Sequence, residues 1–241
     1  MPTELHLALQ RHYAGDDGLL EASVGGYRVD VLRGGVVYEI QTGSFVPLRD
    51  KLAALAALGP VVLVYPVAQT RRLVRVDPAT GEELSARRSP QHGSSAQLFD
   101  QLLYLRRALL GGNLAVEVVL TSERELRCAD GRGSWRRHGV SLAGRELVEV
   151  LGVERFESPA DLARLLPSEL PEPFTVAELA QAGRLTGRIA GRMAFALREL
   201  GVLEQVGKRG NAFLYRRVAP PAPRGGRSRG HRERKKSHGL D

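Results

Sequence analysis

Hydrophobic positions along the first 70 residues switch between two periods, and the switches mark the elements. Leu5, Leu9 and His12/Tyr13 share one helical face behind Thr3, a residue type that caps helices, so the spacing predicts an opening helix. Strand-like stretches follow at 19–24, 27–32 and 36–42, separated by Gly25-Gly26 and Gly34-Gly35. A second helix is predicted over 47–58 with Leu48, Leu52 and Leu55 inward, then a β-branched strand over 61–67. The order is α-β-β-β-α-β. Residues 52–70 carry no charge, yet Gly59-Pro60 and Pro66 interrupt them. A helix followed by a buried strand accounts for that run better than a membrane span does.

Further along, residues 71–88 read as a hairpin turning at Asp77-Pro78-Ala79-Thr80-Gly81. A helix is predicted over 96–110, with Leu98, Leu102, Leu105 and Leu109 as its stripe. Leu114, Val116, Val118 and Leu120 alternate as a strand, which leaves Glu117 facing the other way as a solvated position. In the loop 131–139 the sole tryptophan meets a basic cluster. Trp135 can stack on a base while Arg132, Arg136 and Arg137 contact phosphates, or it can tuck onto the body of a surface hairpin.

Pro167, Pro171 and Pro173 mark a boundary, after which the pattern changes. Thr175 and Glu178 have capping-box spacing, Gly183 breaks the short helix they open, and Thr186 caps a second helix reaching about Leu200. Ile189, Met193, Leu197 and Leu200 form its buried stripe, and 202–206 with 212–217 flank 207–211 as a two-stranded wing. Residues 174–217 thus look like a winged helix. Arg184, Arg188 and Arg192 recur every four residues near the start of the second helix, the end a recognition helix presents to the major groove. Lys208 and Arg209 are expected at the wing tip, within reach of the DNA backbone or minor groove. The bland alternative is a solvated helix face with a basic turn, and winged helices also mediate protein contacts.

Charge sharpens this division. The net charge is +8, of which residues 1–170 carry −1, residues 171–218 carry +4 and residues 219–241 carry +5. A near-neutral body with a basic C-terminal third is the asymmetry expected of a polyanion binder. Residues 219–241 are rich in Pro, Gly, Ser and Arg and are expected to be disordered. A single cysteine, Cys128, excludes a disulfide scaffold and a multi-cysteine zinc site and fits a reducing cytoplasm. The first dozen residues show no basic stretch followed by an apolar core, so no signal peptide is expected. No Walker A loop or G-x-S-x-G elbow is present in the sequence.

The candidate chemistry lies in the hairpin at Gly34-Gly35. A two-residue loop pairs Arg33 with Val36, which places Asp30 opposite Glu39 and Arg28 opposite Gln41, with Tyr27, Val29, Val31, Tyr38 and Ile40 on the other face. Opposed carboxylates on one strand pair repel, so they call for a proton, a base or a cation. Magnesium held by one or two carboxylates fits that arrangement. The alternative is the wet face of an amphipathic hairpin.

The stretch EASVGGYRVDVLRGGVVYEIQTGSFVPLRDKLAALAALGPVVLVYP resembles the core of the PD-(D/E)XK nuclease superfamily. Its members place Asp on the second of three antiparallel strands and Glu-x-Lys on the third. Asp30 matches the metal-binding Asp, and Glu39-Ile40-Gln41 matches the tripeptide with Gln41 in place of lysine. Glutamine can hold a water but supplies no charge. Lys51 or Arg49, one turn into the next helix, can supply it instead, and Glu4 or Glu21 can match the family's additional glutamate. Glu21 has the strand parity for that role.

The resemblance implies an α/β, restriction-endonuclease-like core over 1–152 and a connector over 153–173. A winged helix over 174–218 and a basic tail over 219–241 complete the expected layout. It further implies a Mg²⁺- or Mn²⁺-dependent DNA endonuclease, with Asp30 and Glu39 (and the Ile40 carbonyl) as ligands. The expected partner is double-stranded DNA, the expected location a cytoplasmic nucleoid, and a homodimer is open to it. Two alternatives remain: a DNA-binding regulator whose nuclease fold lost activity through Gln41, and a protein-interaction scaffold.

Overall fold

The computed structural model describes residues 3–133, 135 and 139–218. Its elements are α1 (Glu4–Ala14), β1 (Leu19–Val24), β2 (Tyr27–Arg33), β3 (Val36–Ile40), α2 (Arg49–Leu58), β4 (Val61–Val76) and β5 (Glu83–Arg88). They continue with α3 (Arg106–Leu110), β6 (Leu114–Cys128), β7 (Ser141–Phe156), α4 (Val176–Ala182), α5 (Gly187–Glu199), β8 (Leu203–Arg209) and β9 (Ala212–Arg217). The fold is mixed α/β. One sheet runs β1-β2-β3-β4-β6-β7, with β5 on β4, and β8-β9 form a separate ribbon. The first three strands are antiparallel, β3, β4 and β6 are parallel, and β7 returns antiparallel to β6.

Each sheet face has its own core. Leu5 and Leu9 of α1 pack on Val31, Ile40, Val62, Val64 and Val119. On the opposite face, Leu52 and Leu55 of α2 join Val61, Leu63, Val116 and Phe99, and this core continues into Met193 and Leu197 of α5. The C-terminal helices therefore share apolar burial with the sheet, and each fully buried leucine adds ~1.5–3 kcal/mol. Thr3 caps α1 through His6 N–H, as the sequence predicts. The uncharged run resolves into α2 and the start of β4, and no helix among the described residues is long and apolar enough to cross a membrane.

Several elements depart from expectation. The strand predicted over 61–67 runs through Pro66 to Val76, so the first arm of the predicted 71–88 hairpin is its continuation. The strand at 114–120 extends to Cys128 and pairs with β7, an element the sequence pattern did not suggest. The helix over 96–110 is instead two 3-10 segments, Ser95–Asp100 and Leu102–Leu105, followed by α3, with Gln101 at φ −125° breaking the run. Its leucine stripe is buried all the same. In the ribbon, Arg209 pairs with Ala212, so only Gly210-Asn211 form the turn, and Lys208 and Arg209 lie on β8 rather than at a five-residue tip.

Beyond the end of β3 the sheet continues as an extension of β4, β5, β6 and β7 with buried charge in it. Glu123 and Glu125 of β6 are almost fully buried. Arg71 Nη1 lies 3.1 Å and Arg145 Nε 3.9 Å from Glu125 Oε2, and Arg127 Nη2 lies 2.7 Å from Glu125 Oε1. Thr121 donates to Glu123 (2.8 Å).

Candidate active site

Gly34 and Gly35 take φ of 55° and 76°, the positive values a tight two-residue hairpin loop demands, and the rungs Arg33–Val36, Leu32–Val37 and Val31–Tyr38 follow as predicted. There the ladder stops. Instead of a further rung, Ile40 N–H donates to Asp30 Oδ2 (2.7 Å) and Asp30 N–H donates to Glu39 Oε1 (3.3 Å). Beyond that point the chain has turned to β4, with Gln41 N–H donating to the Val64 carbonyl (2.9 Å). On the other side of β2 the β1 ladder skips the Glu21–Asp30 rung, and Glu21 has a positive φ of 53°. Val29 and Val31 consequently belong to opposite cores, which corrects the expectation that they share a face. Asp30 occupies a local break that frees its carboxylate from the pleat.

Two helices complete the cluster. From α1, His6 Nε2 lies 3.2 Å from Asp30 Oδ1, and Gln10 Nε2 donates to that same oxygen (3.1 Å) and to Glu21 Oε1 (2.7 Å). From α2, Lys51 Nζ lies 2.7 Å from Glu39 Oε1. Glu39 is 3 % exposed and Lys51 21 %, so this pair is shielded from bulk water on the carboxylate side.

The two carboxyls respond oppositely. Burial pushes Glu39 above its ordinary value despite Lys51. Burial also opposes ionisation of Asp30, but the His6 and Ile40 hydrogen bonds outweigh it and hold the carboxyl below its ordinary value. The Asp30 hydrogen bond in turn raises His6 against the effect of burial. An anionic Asp30 beside a carboxyl that ionises less readily, with a lysine and an imidazole in contact, can bind a cation or move a proton.

Of the sequence candidates, Asp30, Glu39, Lys51 and Glu21 meet here. Gln41 does not: its side chain turns back onto the Ser44 carbonyl because its backbone has left β3. Arg28 pairs with Glu21 (2.6 Å) rather than standing opposite Gln41. Arg49 pairs with Asp50 at the surface, and Glu4 lies exposed in the first turn of α1. His6 and Gln10 escaped sequence reading. Their signal is the i, i+4 spacing of two polar residues each following a leucine of the buried stripe. Glu117 is buried rather than solvated, accepting from Tyr13 Oη (2.6 Å) and from Arg155 Nη1 (2.8 Å), because α1 crosses that strand position.

The basic candidates are largely engaged within the chain. Arg188 and Arg192 both reach Asp100 Oδ1, at 2.8 and 3.0 Å. Arg209 pairs with Glu178 (2.7 Å), and Lys208 lies over the Phe213 ring (4.9 Å). Arg184 is exposed at a φ of 50° between α4 and α5. Trp135 is 82 % exposed, which is against its tucking onto the body, while Arg136, Arg137 and residues 219–241 lie outside the described residues.

Comparison with known proteins adds a relationship without an activity. No solved structure matches the chain. A protein of Treponema pallidum (strain Nichols), described as uncharacterized, is 32% identical over 219 residues, spanning 90% of this chain and 86% of its own length. So long a match cannot fit within the first 157 residues, so the likeness extends into the C-terminal helices. Residues 3–157 match the family described as "Domain of unknown function (DUF8091)". By that match across the sheet and its candidate site, the chain belongs to the DUF8091 family.

Proposed function

We propose that the protein is a metal-dependent DNA endonuclease of the PD-(D/E)XK type, directed to DNA by a C-terminal winged helix. The observation that carries this reading is the break at the end of β3, where the Asp30 carboxylate accepts from Ile40 N–H beside Glu39, with Lys51 on Glu39. The element order α1-β1-β2-β3-α2-β4 supports it. Lys51 supplies from α2 the positive charge that Gln41 lacks.

Among the described residues, no three His, Cys, Asp or Glu side chains converge as a metal site. The available donors are the carboxylates of Asp30 and Glu39 and the Ile40 carbonyl. Those suit a hard divalent cation that completes its shell with water and substrate phosphate oxygens. When bound, Mg²⁺ or Mn²⁺ lowers the pKa of a water and offsets charge on the phosphate. Gln10 holds Asp30 and Glu21 in register, and His6 fixes the outer oxygen of Asp30. Lys51 has one oxygen of Glu39 as its partner and can exchange it for a phosphate.

Plasmid cleavage with Mg²⁺, Mn²⁺ or EDTA tests the reading. Cutting that needs metal and falls at least a thousandfold in Asp30→Asn and Asp30→Ala is expected, about 4 kcal/mol at the transition state. A second reading, a DNA-binding regulator on an inactive nuclease fold, is favoured by the turned-away Gln41 side chain. DNA binding without cutting by the wild type would establish it in place of the first.

A further inference from the structure

We propose that the face of the sheet extension on the α1 side is a phosphate track for duplex DNA, with Arg75 and Arg87 as its principal contacts. β3 pairs with β4 only from Val61 to Val64, so β4, still paired with β6 on its other side, runs on past the Asp30–Glu39 site without β3. The vacated edge is then taken over by the chain around 89–93 and by β5. Gly93 N–H donates to the Ala68 carbonyl (2.9 Å), the His92 ring meets the Gln69 carbonyl (3.1 Å), and Ser89 N–H donates to the Arg71 carbonyl (2.8 Å). From Arg72 onward β5 pairs with β4. One continuous edge therefore leads from the candidate active site into the extension.

The face is set by alternation along β6. Ala115 and Val119 pack beneath α1, and Glu117 meets Tyr13, so Glu123, Glu125 and Arg127 follow on the same side. Arg75 stands opposite Arg127, and Arg87 stands opposite Leu73, which lies two residues from Arg75. A cavity of about 770 Å³ opens there, lined by Leu73, Arg75, Ser85, Arg87, Glu125 and Arg127 among others.

Charge decides what it takes. Glu125 lies against Arg71, Arg127 and Arg145, and Glu123 Oε2 lies 3.8 Å from Arg71 Nη2, so these acids are faced by cations of their own. Arg75 and Arg87 are exposed and have no acidic partner among the described residues. They are diagonal neighbours, ~7–8 Å apart by sheet geometry. Donors so separated on an open face suit successive phosphates of a polyanion better than one small anion. From Val64, level with Ile40, to Arg75 the strand can extend at most ~36 Å at ~3.3 Å per residue, close to one turn of duplex DNA.

The direction of this track rests on reading the Asp30–Glu39 cluster as a nuclease site, but its binding test does not. The full chain is titrated against a 30-base-pair DNA duplex in EDTA across a salt series, followed by fluorescence anisotropy. The comparison is wild type, Arg75→Ala/Arg87→Ala and Arg75→Lys/Arg87→Lys. Losing two phosphate contacts is expected to flatten the log–log salt slope by ~1.8, with the lysine pair retaining it. An unchanged slope in the alanine pair, failure of the wild type to bind, or tighter binding to an RNA duplex of the same sequence would each overturn the proposal. A Mg²⁺ arm separates the two readings. Binding that depends on Arg75 and Arg87 without cleavage retires the nuclease and keeps the track, whereas cleavage with an unchanged slope retires the track alone.

Discussion

Two pairs of carboxylates, all but the half-buried Asp30 fully buried, sit in one sheet, and their neutralising partners set them apart. Asp30 and Glu39 are met by an imidazole, an amide and a lysine, at a place where the strand ladder breaks. Glu123 and Glu125 are met by arginines from three strands, where the β4–β6 ladder runs on past its register shift at Ala68/Thr70. Arginine is permanently charged and forks its donors onto carboxylates, so it fixes an ion pair in place. Lysine and histidine exchange protons and partners more readily. Burial and acidity are shared by both clusters, so neither feature identifies a site. Partner chemistry does.

The sharpest way to break this contrast is to remove one acid from each cluster. Glu39→Ala is expected to cut DNA cleavage at least a thousandfold with a modest change in thermal midpoint. Glu125→Ala is expected to cost ~3–5 kcal/mol of stability by leaving arginines unpaired, with cleavage per folded molecule unchanged. Urea denaturation and a plasmid assay on both proteins measure the two effects. Loss of cleavage in folded Glu125→Ala would place the second cluster in the chemistry.

Lys51 sharpens it further. Lys51→Ala is expected to lower the cleavage rate about a hundredfold while Lys51→Arg recovers part of it, read as kcat at saturating metal. Arg49→Ala, which removes only a surface pair with Asp50, is expected to leave the rate unchanged.

These contrasts also show what was legible in the chain. The first six elements could be read because each apolar period is clean there, and the Gly34-Gly35 loop fixed the register that brings Asp30 to Glu39. The extension was opaque for the opposite reason. Glu123 and Glu125 interrupt the apolar pattern of β6 although they are buried, and half-buried Arg71 does the same in β4, because each is compensated from a neighbouring strand that sequence spacing does not reveal. β7 was invisible because register shifts against β6 at Leu120/Thr121, Ser122/Glu123 and Leu126/Arg127 disrupt period two. Gln41 matched the motif by position, yet the strand exchange that frees Asp30 carries Gln41 away onto β4.

The C-terminal helices give a gentler test. Asp100 engages both Arg188 and Arg192 of α5, so the two arginines expected to face DNA are partly neutralised by the body. Exposed pairs are worth ~0.2–1 kcal/mol each. Asp100→Asn is accordingly expected to tighten duplex binding roughly threefold to tenfold, and Arg188→Ala/Arg192→Ala to erase that gain. Unchanged affinity in Asp100→Asn would detach α5 from DNA recognition.

The smallest effect lies at Glu117, a further buried acid of the same sheet, whose partners are a tyrosine and an arginine. Burial, and then the hydrogen bond to Glu117, raise the Tyr13 hydroxyl far above its ordinary value of 10.0. The folded protein therefore keeps that proton at pH values where the unfolded chain releases it. Above pH 10 the native state binds more protons than the unfolded state, so stability falls as pH rises. The contribution is fully present below the ordinary tyrosine value and is lost progressively above it. Tyr13→Phe removes the hydrogen bond and the titrating group together. Wild type is expected to exceed Tyr13→Phe by ~1 kcal/mol at pH 8, with the margin shrinking between pH 9.5 and 11. Urea denaturation at those three pH values reads it directly. A margin that stays constant to pH 11 would mean that Tyr13 ionises alike in both states, and that Glu117 is held by Arg155 alone.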